Sequence, residues 1–298
     1  MSKHSLSKSD DFSGKRHIGV MLILLSAFLY SPVGVFSKGV DADSWSIIFW
    51  RGVVAAPAGI LYLMVIGKLG AEWCRLRRNA RFSLLVIALQ AGATAAFIAS
   101  FKLTSVANVA LIWGASPVIA AVMGWLLLRE PVANSFLVAV ALVVAGNAVI
   151  VFGSASGQSG SGLAGDALAL LMTVLLVSTT IIYRHCPDMP STLPTVAATL
   201  VLMLVALFFS SPFAVPLDEI MISALGGITF VMACVTLFEG AKYLAPGETA
   251  LLCITEIPWA IILAILVLAD YPTMQTMTGG TIIMAAVLWY QWRAFRNA

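Results

Sequence analysis

One carboxylate lies deep inside a long apolar segment of the sequence. Glu256 follows Glu248 by eight residues, which places it close to the middle of a helix that begins near residue 248 and rises 1.5 Å per residue. Ionisable groups in such segments are rare and mark functional sites by default. We predict that Glu256 binds the ammonium group of a substrate or carries a proton. The alternative is a structural carboxyl that is hydrogen-bonded to a neighbouring helix.

One guanidinium also lies within an apolar segment. Arg51 stands about six residues inside the second such segment of the chain. Its long side chain can extend to the end of the segment and meet Asp41 or Asp43 there. Alternatively, the planar guanidinium binds a substrate carboxylate. The sequence leaves both interpretations open.

Aromatic and hydroxyl side chains at similar depths are candidates for the walls of a binding cavity. The aromatic candidates are Tyr30, Phe97, Phe101 and Trp113, although packing or contact with lipid explains any single ring equally well. Thr236 and Thr255 offer hydroxyl groups to the space around Glu256. The small residues Ala91–Ala96 let helices approach closely and leave room for a substrate.

Prolines interrupt several of the apolar segments. A proline inside a helix removes one backbone hydrogen bond and clashes with the preceding turn, so it produces a kink. Pro32, Pro57, Pro117 and Pro258 all lie inside apolar segments. For Pro117 and Pro258 we predict a hinge, because a kinked half-helix tilts while its other half stays packed. The alternative is that proline is simply more frequent in membrane helices.

The sequence carries no recognisable catalytic or metal-binding motif. His4, His17 and His185 pair with no carboxylate at metal-ligand spacing. The cysteines, which are Cys74, Cys186, Cys234 and Cys253, follow neither metal nor disulfide spacing. We therefore predict no catalytic residues, no metal, no cofactor and no nucleic-acid partner, so the chain is not expected to be an enzyme.

The composition determines the class of protein that positions these residues. Of the 298 residues, 60% are hydrophobic and 10% are charged, and the mean hydropathy is +0.98. Soluble domains carry about 25% charged residues because their surface faces water. Soluble and disordered proteins are excluded. The chain is predicted to be an all-α polytopic membrane protein in a lipid bilayer.

Ten segments are long and apolar enough to span a bilayer, which takes about 20 residues. They are approximately 18–39, 45–67, 82–101, 106–128, 133–152, 165–184, 191–211, 220–241, 248–268 and 275–294. Only the loops 68–81 and 153–164 are of any size. No small-residue cleavage site follows the first segment, so we interpret it as an uncleaved helix rather than a signal peptide.

The distribution of basic residues predicts the orientation. With an even number of spans both termini share one side, and most of the 17 Lys and Arg residues lie on that side. Lys38 and Lys102 are the basic residues at the opposite ends of spans. Because cytoplasmic loops carry the excess of Lys and Arg, both termini are predicted to be cytoplasmic.

The sequence also repeats itself. The stretch VANVALIWGASPVIAAVMGWLLLREP contains Pro117 and ends at Pro131, and PGETALLCITEIPWAIILAILVLADYP contains Pro258 and ends at Pro272. Both proline pairs are 141 residues apart, so the stretches align without a gap. The predicted division is a tail (1–16), a first repeat (17–152), a Gly/Ser linker (153–164) and a second repeat (165–298). Five spans per repeat is an odd number, so the second copy is inverted in the membrane, as in secondary transporters.

These two stretches resemble the EamA repeat of the drug/metabolite transporter superfamily. The carrying features are the small residues, the mid-span proline and LLLREP in the first copy, and GETALLCITEIPWAIILAIL in the second. Within the superfamily the chain looks closest to YddG-like aromatic amino-acid exporters of the bacterial inner membrane. In the second copy Asp270 and Tyr271 replace the Arg-Glu pair of the first, which makes a symmetric role for this turn doubtful.

The resemblance implies a function. It implies export of amino acids, aromatic and other neutral ones with broad specificity, by alternating access between the two repeats and without covalent chemistry. An exporter of another small metabolite, a nucleoside or a drug on the same fold is the alternative. A passive membrane scaffold or a membrane enzyme is a third hypothesis, which the intramembrane Glu256 and the paired prolines disfavour.

Overall fold

The computed structural model describes residues 3–32, 43–103, 109, 112–129, 133–154, 163–268 and 274–296. Regular structure in these residues is helical, and no strand occurs among them. The helices are α1 (Lys3–Tyr30), α2 (Ser44–Val65), α3 (Leu69–Arg78), α4 (Ala80–Leu103), α5 (Ser116–Leu128), α6 (Asn134–Ser154), α7 (Leu163–His185), α8 (Thr192–Phe209), α9 (Leu217–Ala241), α10 (Pro246–Cys253), α11 (Glu256–Leu268) and α12 (Met274–Arg296). A short 3₁₀ turn, Pro212–Ala214, follows α8.

Each of the ten predicted spans coincides with one helix or with a helix and a shorter helical piece. Within the described residues, α2, α4, α7, α8 and α9 are individually long and apolar enough to cross a membrane. Shorter apolar helices lie in α1, α5 and α6. The predicted all-α polytopic membrane fold is confirmed.

Two segments outside the spans differ from the predicted loop and tail. Residues 69–78 of the predicted loop 68–81 form α3, in which Glu72 is buried while Arg75, Arg77 and Arg78 are exposed. The segment is helical because an amphipathic sequence covers one face and leaves its charges in water. Helix α1 begins at Lys3, inside the predicted tail. Residues 155–162 of the predicted linker lie outside the described part.

The helices of one half pack chiefly against helices of the other half. Helices α6 and α12, α2 and α8, and α5 and α10 form pairs, and each pair joins equivalent spans of the two halves. Helix α4 packs on α7, and its counterpart α9 packs on α1. Exchanging the halves therefore reproduces the pattern of neighbours, which is the result that two related five-span repeats require. The two halves share one core.

Small residues allow the closest of these approaches. Gly146 in α6 and Gly279 in α12 face each other, and a Cβ atom on either would meet the backbone carbonyl of the other. Helices in membranes associate through such close small-residue packing because the hydrophobic effect does not drive helices together in lipid. The main core includes Ile23 of α1, Phe238 of α9 and Leu251 of α10, and all three side chains are fully buried.

The fourth and ninth spans are broken rather than kinked. In the ninth span α10 ends at Cys253 and α11 begins at Glu256. At this break the Thr255 backbone N–H donates to the Leu252 carbonyl three residues back, at 3.1 Å. In the fourth span the Ala115 N–H donates in the same way to the Ile112 carbonyl, at 3.2 Å, before α5 begins at Ser116.

The prolines explain the positions of the breaks. Pro117 and Pro258 both stand in the first turn of the helix that follows a break. The first turn has no intrahelical acceptor for its N–H groups, so proline is tolerated there. The expectation of a proline within a continuous helix is wrong for these two positions. It is right for Pro57, which lies inside the uninterrupted α2.

Candidate functional site

The phenol of Tyr30 lies where α1 meets α9. Its Oη atom is 2.8 Å from the Sγ atom of Cys234. Its ring makes an edge-to-face contact with Phe230, with 6.0 Å between the ring centroids. Both contacts cross between the halves of the chain, so the ring is held at their interface.

The guanidinium of Arg51 stacks on the same aromatic ring from the other side of the interface. Its Cζ atom lies 4.1 Å from the centroid of Phe230, which is the geometry of a cation–π contact. Within the described part of the chain, no acceptor or carboxylate pairs with this guanidinium. Among the described residues, this partly buried positive charge therefore has no counter-charge.

The predicted pairing of Arg51 with Asp43 is wrong. The Asp43 side chain caps α2 instead, accepting hydrogen bonds from the backbone N–H groups of Trp45 at 2.8 Å and Ser46 at 3.1 Å. An N-cap carboxylate satisfies donors that the first helical turn leaves without partners. Asp41, the other predicted partner, lies outside the described residues.

The carboxyl group of Glu256 stands at the start of α11, directly after the break. The N-terminus of a helix carries a partial positive charge, which favours a carboxylate at this position. The group is partly buried. Among the described residues no side chain or backbone group forms a hydrogen bond or ion pair with it. The alternative of a carboxyl bonded to a neighbouring helix has no such bond in the described part.

These two side chains carry charges of opposite sign. Tyr30 and Arg51 both contact the ring of Phe230, and Glu256 stands at the start of α11. The three residues come from α11, α1 and α2, so the site draws on both halves. The arrangement presents a negative group, a phenol and a positive group inside the spans.

The other predicted site residues are distributed unevenly around this centre. Trp113 packs, like Tyr30, against the main core cluster. Phe97 and Trp113 both pack against a smaller cluster that includes Ala93 and Met172. The side chain of Phe101 lies outside the described part. Tyr30, Trp113 and Phe97 come from α1, from the segment before α5 and from α4, and an aromatic wall around a substrate stays a prediction.

The two predicted hydroxyl groups are used by their own helices. Thr236 Oγ1 donates to the Met232 carbonyl at 2.9 Å, and Thr255 Oγ1 donates to the Leu252 carbonyl at 2.7 Å. Local bonds of this kind are common for threonine in helices. Each hydroxyl can still accept a hydrogen bond but has no proton to donate to a ligand.

A polar cavity that the sequence did not reveal lies beside Arg51. It is bounded by α2, α4, α8 and α9 and lined by Ile48, Arg51, Gln90, Thr94, Thr195, Ala198, Thr199, Leu202 and Phe230. Its volume is about 20 Å³, enough for roughly one water molecule. Gln90 is the only amide side chain in α4, and that isolation in an apolar span was the available signal. Thr94 belongs to the small-residue stretch Ala91–Ala96.

Ion pairs close the site on the side of the chain termini. Arg16 of α1 binds Glu248 of α10 at 2.5 Å, and Gln291 of α12 donates to the same carboxylate oxygen at 3.3 Å. Lys242 binds Glu239 at 2.8 Å. Glu248 and Glu239 are therefore members of ion pairs.

A third carboxylate ties α3 to the second half on the same side. Glu72 accepts a hydrogen bond from the backbone N–H of Leu193 at 2.9 Å, in the first turn of α8. Ser191, just before α8, donates to Glu239 at 2.6 Å. The bond between Arg16 and Glu248 and the bond between Leu193 and Glu72 both cross between the halves.

No group of histidine, cysteine and carboxylate side chains suited to a metal ion occurs among the described residues. All four cysteines are free thiols. The chemistry that the described site offers is therefore charge complementarity, aromatic contact and hydrogen bonding.

Comparison with known proteins supports a transporter. Residues 17–152 match the EamA-like transporter family. This match supports the drug/metabolite transporter superfamily, whose EamA members are membrane transporters of small molecules built from an inverted repeat. One solved crystal structure is 15% identical in sequence, with a TM-score of 0.81 over 94% of this chain and 98% of that one. That likeness extends the shared fold to nearly the whole chain. No curated protein matches the sequence.

Proposed function

We propose that this protein exports amino acids, aromatic and other neutral ones with broad specificity, by alternating access. The observation that carries the proposal is that Glu256 and Arg51, of opposite charge, each lack a counter-charge among the described residues, while Arg51 and Tyr30 both contact the ring of Phe230. An α-amino acid carries one ammonium and one carboxylate group. A zwitterion therefore supplies both missing counter-charges at once.

The energetics favour such a ligand. A charged side chain at the centre of a bilayer costs about 3 kcal/mol or more, so it faces an interior or watery space and pairs there. Glu256 is placed to bind the ammonium group, with the start of α11 behind it. Arg51 is placed to bind the carboxylate, held by the ring of Phe230. The rings of Tyr30 and Trp113 offer apolar contact to the substrate's side chain.

The two broken spans and the ion pairs provide the parts for alternating access. Pro117 and Pro258 start half-helices that are free to tilt about the breaks. Opening towards the terminal side requires the bonds of Glu248 to Arg16 and of Glu72 to Leu193 to separate, since both join the halves. Closure on the terminal side, as the opposite side opens, re-forms them.

The orientation of the protein in the membrane is proposed from its charge distribution. The excess of Lys and Arg on the terminal side favours a cytoplasmic location for both termini. We place the protein in the inner membrane of a bacterium, on the basis of the EamA resemblance. Impermeant thiol reagents applied to intact cells test the orientation, because the exposed Cys74 on α3 should escape labelling from outside. Labelling of Cys74 from outside would contradict the proposed orientation.

A flux survey in proteoliposomes tests the function. Proteoliposomes loaded with unlabelled phenylalanine should accumulate labelled phenylalanine, leucine and valine by counterflow, but not uridine or glucose. Glu256→Gln should lose this exchange, whereas Asp218→Asn, which alters an exposed carboxylate at the start of α9, should retain it. Saturable counterflow of uridine without any amino acid would replace the proposal with a nucleoside exporter.

A further inference from the structure

The cavity beside Arg51 is lined by polar side chains from three helices. Helix α2 contributes Arg51, α4 contributes Gln90 and Thr94, and α8 contributes Thr195 and Thr199. Cavities that hold polar ligands in membrane transporters form between such spans, where the two repeats meet. Here α2 and α4 belong to the first half of the chain and α8 belongs to the second.

Two donors in this cavity have no acceptor in hydrogen-bond geometry among the described residues. Gln90 is only 7% exposed, and its Nε2 atom has no hydrogen-bond partner within the described residues. The guanidinium of Arg51 likewise has no acceptor there. Leaving a buried donor unpaired is destabilising, and more so for a charged group. Such an arrangement stabilises whatever acceptor enters it.

The two threonine hydroxyls of α8 donate to their own helix and accept no hydrogen bond from Arg51 or from Gln90 Nε2 among the described residues. Thr195 donates to the Ser191 carbonyl at 2.8 Å, and Thr199 donates to the Thr195 carbonyl at 2.9 Å. Their helix therefore holds them in fixed orientations. Phe230 covers one face of the Arg51 guanidinium, so its in-plane N–H groups remain available to an oxygen ligand.

We propose that this cavity is the carboxylate subsite of the transporter, in which Arg51 and the amide nitrogen of Gln90 each donate to a carboxylate oxygen. The proposal rests on the proposed function and extends it by assigning Gln90 to substrate selection. Guanidinium and amide groups suit a carboxylate because both present paired N–H donors in a plane. The present volume of about 20 Å³ is too small for a carboxylate, so α8 must move away from α2 to admit it.

The subsite predicts which part of the substrate each charge recognises. The carboxylate enters between α2 and α4, and the ammonium group stays near Glu256 at the start of α11. A ligand with a carboxylate but no ammonium group, such as 3-phenylpropanoate, should use the Arg51–Gln90 subsite alone. A ligand with an ammonium group but no carboxylate, such as phenethylamine, should not need it.

Ligand-dependent thermal unfolding of the purified full-length protein tests this assignment. The wild-type protein should be stabilised by 3-phenylpropanoate and by phenethylamine. Gln90→Leu and Arg51→Gln should weaken binding of 3-phenylpropanoate by about tenfold, equivalent to ~1.4 kcal/mol, and leave phenethylamine binding intact. Gln275→Leu and Arg81→Gln, at exposed positions of α12 and α4, serve as matched controls. Gln90→Asn provides a milder second variant if Gln90→Leu does not fold.

Two results would overturn the subsite. The first is 3-phenylpropanoate binding that is unchanged in both Gln90→Leu and Arg51→Gln. The second is that sodium chloride, compared with sodium gluconate, stabilises the wild-type protein as much as 3-phenylpropanoate does and that both variants abolish this stabilisation. Such a result would identify a site for a small free anion. Failure of the transport proposal is recognised separately. In that case wild-type protein binds 3-phenylpropanoate, the two variants do not, and no amino acid moves in proteoliposomes.

Discussion

The two broken spans share a backbone design but differ in chemistry. Each break is followed by a half-helix with a proline in its first turn, Pro117 in α5 and Pro258 in α11. At the position two residues before the proline the first copy has Ala115, and the second has Glu256. The repeated feature is therefore the interruption of the helix, and the charge belongs to one copy only.

The surroundings of the breaks differ in the same direction. Gly114, just before α5, packs so tightly on Asn147 of α6 that a Cβ atom on this glycine would overlap the amide nitrogen of that side chain. The equivalent position in the second copy is Thr255, a larger residue, and the adjoining Glu256 has no partner among the described residues. The first break is filled by protein, and the second leaves a polar group for a ligand. Symmetry of the fold is thus compatible with a one-sided binding site.

The largest effect is expected from neutralising the charge at the second break. Glu256→Gln preserves the size of the side chain and its capacity for hydrogen bonds while removing the charge. We expect normal insertion and a fall in amino-acid flux of about tenfold or more, equivalent to ~1.4 kcal/mol or more of lost stabilisation. Flux across a series of pH values shows in addition whether the group carries protons, since the variant would then lose its pH dependence. Wild-type flux at every pH would leave Glu256 without a role in transport.

The prolines test whether the breaks themselves matter in both copies. Pro117→Ala and Pro258→Ala each restore a backbone N–H, which favours continuation of the helix through the break. We expect each variant to reduce flux by roughly threefold to tenfold, because a continuous helix costs the half-helix its freedom to tilt. Pro57→Ala is the matched control, since Pro57 lies in the continuous α2. Equal flux in all three variants would separate the prolines from the transport cycle.

The tight packing of the first break predicts an effect on stability rather than on flux. Gly114→Ala places a methyl group against the side chain of Asn147, and overpacking of this kind costs about 1–3 kcal/mol. Thermal unfolding in detergent should show the loss. Gly70→Ala in α3 provides the control, because nothing lies within 4 Å of the position of its Cβ atom. An unchanged unfolding temperature in Gly114→Ala would contradict tight packing of the first break against Asn147.

The smallest effect concerns a thiol that reports on the surroundings of α10. Cys186 packs against the core cluster that includes Leu251 and Leu252 of α10. Burial, and then the nearby Asp188 carboxylate, raise the pKa of the Cys186 thiol. Because the thiolate is the reactive form, alkylation should begin at a higher pH than for an ordinary cysteine. Asp188→Asn should increase the rate at pH 8 by roughly twofold to threefold.

Mass spectrometry of the labelled peptides resolves this thiol from the other three. Arg184→Gln would disturb the hydrogen bond to the Lys242 carbonyl, so it is unsuitable as a control. His185→Gln, at an exposed neighbouring position, is suitable. A rate that is unaffected by Asp188→Asn would show that burial alone sets the pKa of Cys186.

Sequence patterns predicted the membrane fold well because the signal is local. Every span reads as an apolar run of sufficient length, and the register of Pro117 and Pro258 reveals the repeat without any knowledge of contacts. The same local signal does not distinguish a break from a kink. Pro57 and Pro258 look alike in sequence, but only the second follows an interruption, because that outcome depends on which helices pack around it.

The binding site was predicted in part, for a similar reason. Glu256 and Arg51 stand out because charge is rare in apolar sequence. The partner of Asp43 is its own helix rather than Arg51, and a nearby acid in the sequence favoured the wrong pairing. Gln90 stands out in sequence as the one amide side chain of the apolar α4, but its position beside Arg51 joins residues of two different helices and is visible only in the structure. Helix α3 was missed because its polar face resembles that of a loop.

Binding of N-acetylphenylalanine compared with phenylalanine gives the strongest test of the one-sided site, because acetylation removes the ammonium charge and keeps the carboxylate and the ring. Equilibrium binding to the purified protein, measured by titration calorimetry, should favour phenylalanine by about tenfold or more in the wild type. The preference should disappear in Glu256→Gln and persist in Asp218→Asn. Equal binding of the two ligands by the wild type, or an undiminished preference in Glu256→Gln, would contradict a substrate-binding role for the carboxylate at the second break.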